Sequence, residues 1–174
     1  VAATDKGLAQ CASMLLLVVF GLKAAAFPLY FWLPGSYGAA AAPVAALFAI
    51  MTKVGIYAML RVHLLTFGVA DALWSDTLLT VALVTVVLAT LGALAARSLR
   101  SLIANLTVAS VGTLMIAIGM ASLAGVTAAI YYLVHSTFVG AALFLLAELV
   151  AEQRGERRDA LAPGPELRQP ALLG

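Results

Sequence analysis

Two lysines lie deep inside apolar stretches of the chain, where a charged side chain is costly. Lys23 falls within residues 12–33, and Lys53 falls within residues 43–67. A charge at the centre of a membrane span costs about 2.5–3.5 kcal/mol on insertion scales, so such residues face protein or water and commonly handle ions or protons. The two lysines are therefore the first candidate functional residues, and proton transfer is the chemistry that they suggest.

The spacing of the two lysines gives them a similar depth in a bilayer. Lys23 lies ten residues before Leu33 and Lys53 lies ten residues after Pro43, which is about 15 Å of helix in each case. Because the connecting loop is short, we expect the two helices to be neighbours. Two ammonium groups at one depth disfavour each other's charge, so such a lysine can release and regain a proton. The alternative, a lysine that reaches the interface, fits a midspan position poorly.

Pro28 follows Lys23 by five residues. Proline removes a backbone hydrogen bond and kinks or breaks a helix about one turn earlier, which frees carbonyl groups close to Lys23. Transporters use broken helices of this kind at their ion sites, although many membrane prolines are only packing kinks. We expect the first helix to be interrupted near Pro28.

His135 is a third candidate, in the interior of the apolar stretch 125–150. Thr127, Tyr131 and His135 fall at i, i+4 and i+8, on one face of a helix. Histidine titrates near neutral pH and can relay protons, and the alternative is a structural hydrogen bond. The preceding stretch adds polar residues that are more typical of hydrogen bonds between helices than of conduction: Asn105, Thr107, Ser110 and Thr113.

Acidic partners for the lysines are missing from the apolar stretches. No aspartate or glutamate occurs between Asp5 and Asp71, or between Asp76 and Glu148, and we expect Glu148 to be solvated at the end of the last stretch. The counter-ion must come from elsewhere. The sequence also lacks a Gly-rich phosphate loop, a CxxC pair and a close histidine pair, and Ser136 beside the histidine has no third catalytic member. We therefore expect no cofactor, no metal site and no enzyme active site.

The composition indicates a membrane protein. Hydrophobic residues make up 64% of the chain, charged residues 10%, and the mean hydropathy is +1.08. Soluble proteins average about 45–50% apolar and about 25% charged residues. The net charge of +2 is too small to suggest nucleic acid as a partner. The sequence predicts an all-α fold, a polytopic transmembrane bundle of about five helices, at approximately 12–33, 43–67, 76–96, 101–120 and 125–150.

The breaks between these stretches have recognisable causes, and the last is followed by a polar segment. Residues 34–36 (PGS) are expected to end the first helix. Residues 1–150 form the transmembrane part, and residues 151–174 are expected to be a polar linker that leads to a further helix. Since the N-terminus has neither an initiator methionine nor a basic signal-peptide head, we expect an internal fragment of a longer protein.

Basic residues in the connections predict the orientation of the helices in the membrane. One side has only Lys6 and Arg61. The other side should therefore be cytoplasmic, and with it the C-terminal end, because it collects Arg97, Arg100, Arg154, Arg157, Arg158 and Arg168.

Several motifs resemble the antiporter-type subunits of respiratory complex I and of the Mrp cation/proton antiporters. They are residues 20–34 (FGLKAAAFPLYFWLP), 36–38 (SYG) and 42–49 (APVAALFA). Residues 52–61 (TKVGIYAMLR) and 131–137 (YYLVHST) are most similar to the D-type subunits of the Mrp branch. The resemblance covers practically the whole chain, and the motifs are specific when combined in this order.

The resemblance implies a role for each candidate residue. Lys23 would be the central proton-channel residue of an interrupted helix, paired in the family with a glutamate on an earlier helix. Lys53 would be a relay lysine and His135 a relay histidine, working with bound water and supported by Pro28, Thr127, Tyr131 and Ser136. The implied activity is exchange of monovalent cations, chiefly sodium, for protons, in a complex with other membrane subunits.

Two departures from the family pattern bear on this assignment. Gly35 stands where these proteins often carry an aspartate. Val139 and Gly140 stand where complex I relatives have a lysine, which favours the Mrp branch. Two alternatives remain open: a proton-translocating subunit of complex I or of a membrane-bound hydrogenase, and an inert product of a broken gene.

Overall fold

The computed structural model describes residues 3–66, 72–154 and 160–161. Apart from a single bridge between Ser98 and Ala160, the regular structure in these ranges is helical, which confirms the predicted all-α fold. The helices are α1 (Ala3–Ala24), α2 (Trp32–Ala39), α3 (Ala42–Thr66), α4 (Ala72–Leu94), α5 (Leu99–Gly119) and α6 (Leu123–Arg154). Helices α3 to α6 are long and apolar enough to cross a membrane, and α1 adds the shorter apolar segment Cys11–Ala24.

The first membrane helix is interrupted around Pro28, as its sequence predicts. Helix α1 ends at Ala24, a short 3-10 helix spans Leu29–Phe31, and α2 follows directly. The expectation that residues 34–36 end this helix is wrong, because they lie inside α2. Pro34 is the third residue of α2, and N–H groups in the first turn of a helix have no intrahelical acceptor to lose.

The last helix extends further than the apolar stretch that predicts it. Residues 151–154, assigned to the polar linker from their composition, continue α6 as regular helix. Glutamate, glutamine and arginine all have good helix propensity, so loss of hydrophobicity alone does not end a helix. The rest of the predicted linker, at residues 155–159 and 162–174, lies outside the described residues.

Two apolar clusters stack along the bundle, and a layer of polar side chains lies between them. On α3, Ala49 belongs to one cluster and Ile56 to the other, with Lys53 between them. The same interval on the other helices contains hydroxyl groups, and we call the whole set the polar mid-layer: Thr52, Lys53, Thr85, Ser110 and Ser136. All four of its hydroxyls also donate to carbonyls of their own helices, as polar side chains in apolar helices commonly do.

Helices α4 and α5 pack closely because glycine lies at their contact. A Cβ atom added at Gly112 would lie 2.6 Å from Cγ2 of Val86 and 3.0 Å from the carbonyl oxygen of Ala82. The carbonyl belongs to the α4 backbone, so it cannot move aside as the end of a flexible side chain can. The register of α4 on α5 is therefore set by a backbone contact that only glycine permits.

We expect Gly112→Ala to destabilise the protein by about 1–3 kcal/mol, since overpacking a close helix contact forces the backbones apart. Thermal unfolding of the purified full-length protein would measure the change. Gly35→Ala is the matched control, because a Cβ at Gly35 meets nothing within 4 Å. Equal unfolding temperatures for the two variants would contradict the close packing of α4 on α5.

Candidate functional site

Lys53 is the centre of the candidate site. Its side chain is only 2% exposed, and Nζ donates a hydrogen bond of 2.6 Å to Oγ of Ser110 on α5. Oγ of Ser110 in turn donates to the carbonyl oxygen of Thr107 at 2.7 Å. A lysine and a serine from two different helices are thus joined inside the polar mid-layer. The serine was expected to join helices, and the structure shows that its partner is the candidate lysine itself.

A cavity of about 270 Å³ lies between α5 and α6, next to this hydrogen bond. Ser110 and Thr107 line it from α5, and Tyr132, His135 and Ser136 line it from α6. A space of this size with several polar groups on its wall can hold several water molecules. It therefore offers a route from the partner of the buried lysine to an imidazole.

The face of α6 that lines the cavity is not the face that the polar spacing predicts. Thr127 and Tyr131 are exposed, Tyr131 by 77% of its surface. Tyr132 and Ser136 lie one position further round the helix and line the cavity. The ring of Tyr132 lies 6.4 Å from that of His135, centroid to centroid. His135, itself exposed, thus stands at the edge between the outer face and the cavity.

Lys23 lies at the end of α1, in a different environment from Lys53. Its side chain is exposed on the described part of the chain, next to the exposed Leu22. The backbones of the two lysine-bearing helices touch, because a Cβ at Gly55 would lie 3.2 Å from the backbone nitrogen of Ala24. The structure therefore brings the two helices together, as expected, but buries only the second lysine.

The chain around Pro28 is held by specific hydrogen bonds. Ala25 has φ of 59°, in the left-handed region, and closes the end of α1. The N–H of Phe27 donates at 3.0 Å to Oγ1 of Thr85 on α4. The indole Nε1 of Trp32 donates at 3.2 Å to the carbonyl oxygen of Leu22, which also accepts from the N–H of Ala25 at 3.2 Å. Backbone groups around the interruption thus find partners in α2 and α4.

An ion pair joins the helices at the end of the bundle where α2 stops. Arg100 on α5 pairs with Glu148 on α6 through Nη2, and its Nη1 donates at 3.2 Å to the carbonyl oxygen of Ala40. Glu148 was expected to be solvated; 37% of its side-chain surface is exposed, and it also binds the arginine across the helix interface. A polar cavity of about 430 Å³ opens beside the pair.

No carboxylate in the described ranges forms an ion pair with Lys23 or Lys53. In the same part of the chain, no group of three His, Cys, Asp or Glu side chains lies close enough to hold a metal ion. The candidate site consists of a buried amine, a hydroxyl, a polar cavity and an imidazole. These groups can bind and transfer protons.

Comparison with known proteins bears on this arrangement. The model of the family described as "NADH:quinone oxidoreductase/Mrp antiporter, TM" matches residues 2–164. The D-type subunit of a probable K(+)/H(+) antiporter from Rhizobium meliloti is 41% identical over 91% of this chain and 30% of its own length. The D-type subunit of a Na(+)/H(+) antiporter from Bacillus subtilis is 40% identical over 81% of this chain and 29% of its own length.

Solved structures show the same similarity. The structure of an Mrp complex from a Dietzia species covers 78% of this chain and 26% of its own, with a TM-score of 0.74 and 31% identity. The chain therefore spans less than a third of the length of the relatives it matches. Since the family model covers nearly all of its residues, the chain belongs to the transmembrane family shared by NADH:quinone oxidoreductases and Mrp antiporters.

Proposed function

We propose that this chain is the proton-conducting part of the D-type subunit of an Mrp antiporter, which exchanges monovalent cations, chiefly sodium, for protons. The names of the two relatives described above, and the match to a structure of an Mrp complex, support this assignment. The protein would work as part of a secondary transporter with other membrane subunits as partners. The arginine-rich end of the bundle would face the cytoplasm of a bacterial cell.

The observation that carries the proposal is the hydrogen bond from buried Lys53 to Ser110, beside the cavity that His135 lines. A proton released by Lys53 passes by way of the Ser110 hydroxyl to water in the cavity, and the imidazole of His135 accepts it. Each change of charge alters the proton affinity of the next group along the path. The apolar clusters on both sides would hinder proton transfer from the polar mid-layer directly along the bundle to either membrane surface.

In this proposal, Lys23 is the proton-binding group that precedes Lys53 on the path. Its exposed side chain, at the end of the interrupted helix, is available to groups outside the described chain. A carboxylate on another membrane helix of the same protein would hold its charge. The contact between Gly55 and the end of α1 fixes the separation of the Lys23 and Lys53 backbones.

Replacing Ser110 with alanine tests the path. We expect Ser110→Ala to slow cation-driven proton movement about tenfold, because it removes the bonding partner of a buried charged donor. The measurement uses everted membrane vesicles that contain the complete complex with the full-length protein. Respiration first sets a pH gradient, and addition of sodium or potassium chloride then discharges it.

Ser36→Ala is the control for this substitution, since Ser36 is exposed on α2 and away from the cavity. The proposal requires a control rate close to that of the wild type. If Ser110→Ala and Ser36→Ala discharge the gradient equally fast, the path through Ser110 is wrong.

A second candidate function rests on another structural match. The membrane-bound sulfane sulfur reductase, an archaeal respiratory membrane complex, covers 78% of this chain with a TM-score of 0.68 and 28% identity. In that case the chain would be a proton-translocating subunit of a redox-driven complex such as NADH:quinone oxidoreductase or a membrane-bound hydrogenase. The same vesicles separate the two functions, because sodium or potassium chloride discharges the pH gradient through an antiporter, whereas a redox-driven pump responds to electron transfer and not to the added cation.

A further inference from the structure

Thr85 is a buried hydroxyl in the apolar centre of α4. Its side chain is 0% exposed, and valine occupies the positions directly before and after it. Oγ1 donates at 2.6 Å to the carbonyl oxygen of Val81, one turn earlier in the same helix. This bond alone would satisfy the hydroxyl as a donor, as it does for threonines on the exposed face of α4. Thr85 differs from those threonines because its oxygen also accepts a hydrogen bond.

That second bond comes from the interruption between α1 and α2. The N–H groups of Ala25, Ala26 and Leu29 donate to carbonyls of the last turn of α1 or of the interruption itself, at 2.8–3.2 Å. Pro28 has no N–H to donate. The N–H of Phe27 instead donates to a different helix, at 3.0 Å to Oγ1 of Thr85 on α4. The interrupted segment is thus tied to α4 by one backbone hydrogen bond.

Water is poorly placed to replace this bond. Thr85 is fully buried and residues Ala24 to Ala26 are at most 2% exposed, whereas Phe27 itself is half-buried. A half-buried backbone N–H that loses its partner keeps part of its desolvation cost. The position of Phe27, and with it the last turn of α1 that carries Lys23, therefore depends on the Thr85 hydroxyl.

Helix α4 links this bond to the other lysine. Gly112 fixes α4 on α5 beside Val86, the residue after Thr85. Ser110, which accepts the hydrogen bond from Lys53, lies two residues before Gly112. The interruption near Lys23 and the partner of Lys53 are thus both attached to the α4–α5 pair.

From this geometry we infer that Thr85 is a positioning residue for proton transfer: its hydroxyl holds the interrupted helix at Lys23 in register with the pair Lys53–Ser110. The inference rests on the proposed function, since it concerns the same proton path. It assigns a role to a residue that carries no charge and contacts neither lysine side chain in the interactions described above.

Three substitutions on α4 test the role, in the complete complex with the full-length protein. Thr85→Val keeps the shape and removes the acceptor, Thr85→Ser keeps the acceptor, and Thr90→Val is the matched control. Thr90 is exposed and makes only the equivalent bond, to the carbonyl oxygen of Val86. We expect Thr85→Val to slow cation-driven proton movement about tenfold, as for a lost partner of a buried donor. Thr85→Ser and Thr90→Val should stay within about twofold of the wild type, since both keep the bond to Phe27.

Hydrogen exchange gives a readout that does not depend on transport. Exchange in the peptide covering residues 21–31 should be faster in Thr85→Val than in Thr85→Ser or Thr90→Val, because the Phe27 amide has lost its acceptor. If Thr85→Val does not assemble, Thr85→Cys replaces it, since a thiol is a weaker acceptor than a hydroxyl. Slower transport and faster exchange than in Thr85→Ser are then expected.

The outcomes separate this inference from the proposed function. If Ser110→Ala slows transport but Thr85→Val matches Thr90→Val in transport or in exchange, the positioning role is wrong and the proton path stands. If Ser110→Ala has no effect while exchange responds to Thr85→Val, the proton path is wrong and Thr85 supports only the fold. Slow transport and fast exchange in Thr85→Val, both restored by serine, support the inference.

Discussion

Replacing Lys53 with methionine should lower cation-driven proton movement by about two orders of magnitude or more, the scale on which a positioned proton-transfer group contributes. Methionine has a similar length and no titratable group, so it removes the proton site while filling most of the space. Stability should change little or rise, because a buried amine without a carboxylate partner costs free energy in the folded state. Loss of transport without loss of folding is therefore the expected result.

Arg61→Met is the matched control for Lys53→Met. Arg61 lies on the same helix, is exposed, and donates at 2.8 Å to the hydroxyl of Tyr57, which is also exposed. The vesicle assay should show near-normal transport for this variant. Comparable transport by Lys53→Met and Arg61→Met would reject the central role of the buried lysine.

Replacing Arg100 with methionine should destabilise the complex by about 1–3 kcal/mol, since it removes charge-assisted hydrogen bonds to two other helices. Glu148 on α6 would lose its counter-ion, and the carbonyl oxygen of Ala40 after α2 would lose a donor. Both sites are partly exposed, which keeps the loss below that of a fully buried pair. The midpoint of thermal unfolding of the purified complex would measure it.

Two further variants sharpen this prediction. Arg97→Met removes an exposed arginine three residues away and should leave the unfolding midpoint unchanged. The exchange Arg100→Glu with Glu148→Arg should recover only part of the loss, because the new arginine can restore the ion pair but starts from a different helix for the Ala40 bond. Full destabilisation in the exchanged protein would show that the α5–α6 ion pair contributes nothing.

Much of the fold follows from the sequence because a membrane span must be long and apolar. The sequence predicted a helix at 43–67, and α3 runs over Ala42–Thr66. The prediction failed at residues 34–36, where proline and glycine suggested the end of the first membrane helix. The effect of a proline depends on its distance from the helix start, and that start was set by the interruption at Pro28 rather than by Pro34.

The candidate site could be predicted only in part. Lysine in an apolar span is conspicuous, so Lys53 could be identified without a structure. Ser110 and Thr85 could not be singled out, because every hydroxyl in a membrane helix can satisfy itself on its own backbone. Whether it also binds a neighbouring helix depends on helix rotation and tilt, which a single sequence does not specify.

On α6, a small rotation of the helix decides which side chains line the cavity. Tyr131 and Tyr132 are adjacent, and one residue turns a helix by about 100°. The spacing with His135 favoured Tyr131, whereas Tyr132 is the tyrosine that lines the cavity. Hydrophobicity could not separate the two, because the outward face of a membrane helix is as apolar as its inward face.

The two hydrogen bonds at Ser110 impose a direction on its single hydrogen. The oxygen accepts from Lys53, so the hydrogen points to the carbonyl of Thr107, and a carbonyl cannot pass a proton on. On the proposed path, a proton arriving from Lys53 would have no exit toward the cavity in this arrangement. The hydroxyl must first turn away from Thr107, and it must turn back before the next proton. The proposed path would thus work as a turnstile: each rotation of the Ser110 hydroxyl would admit one proton, and the observed orientation would be the closed one.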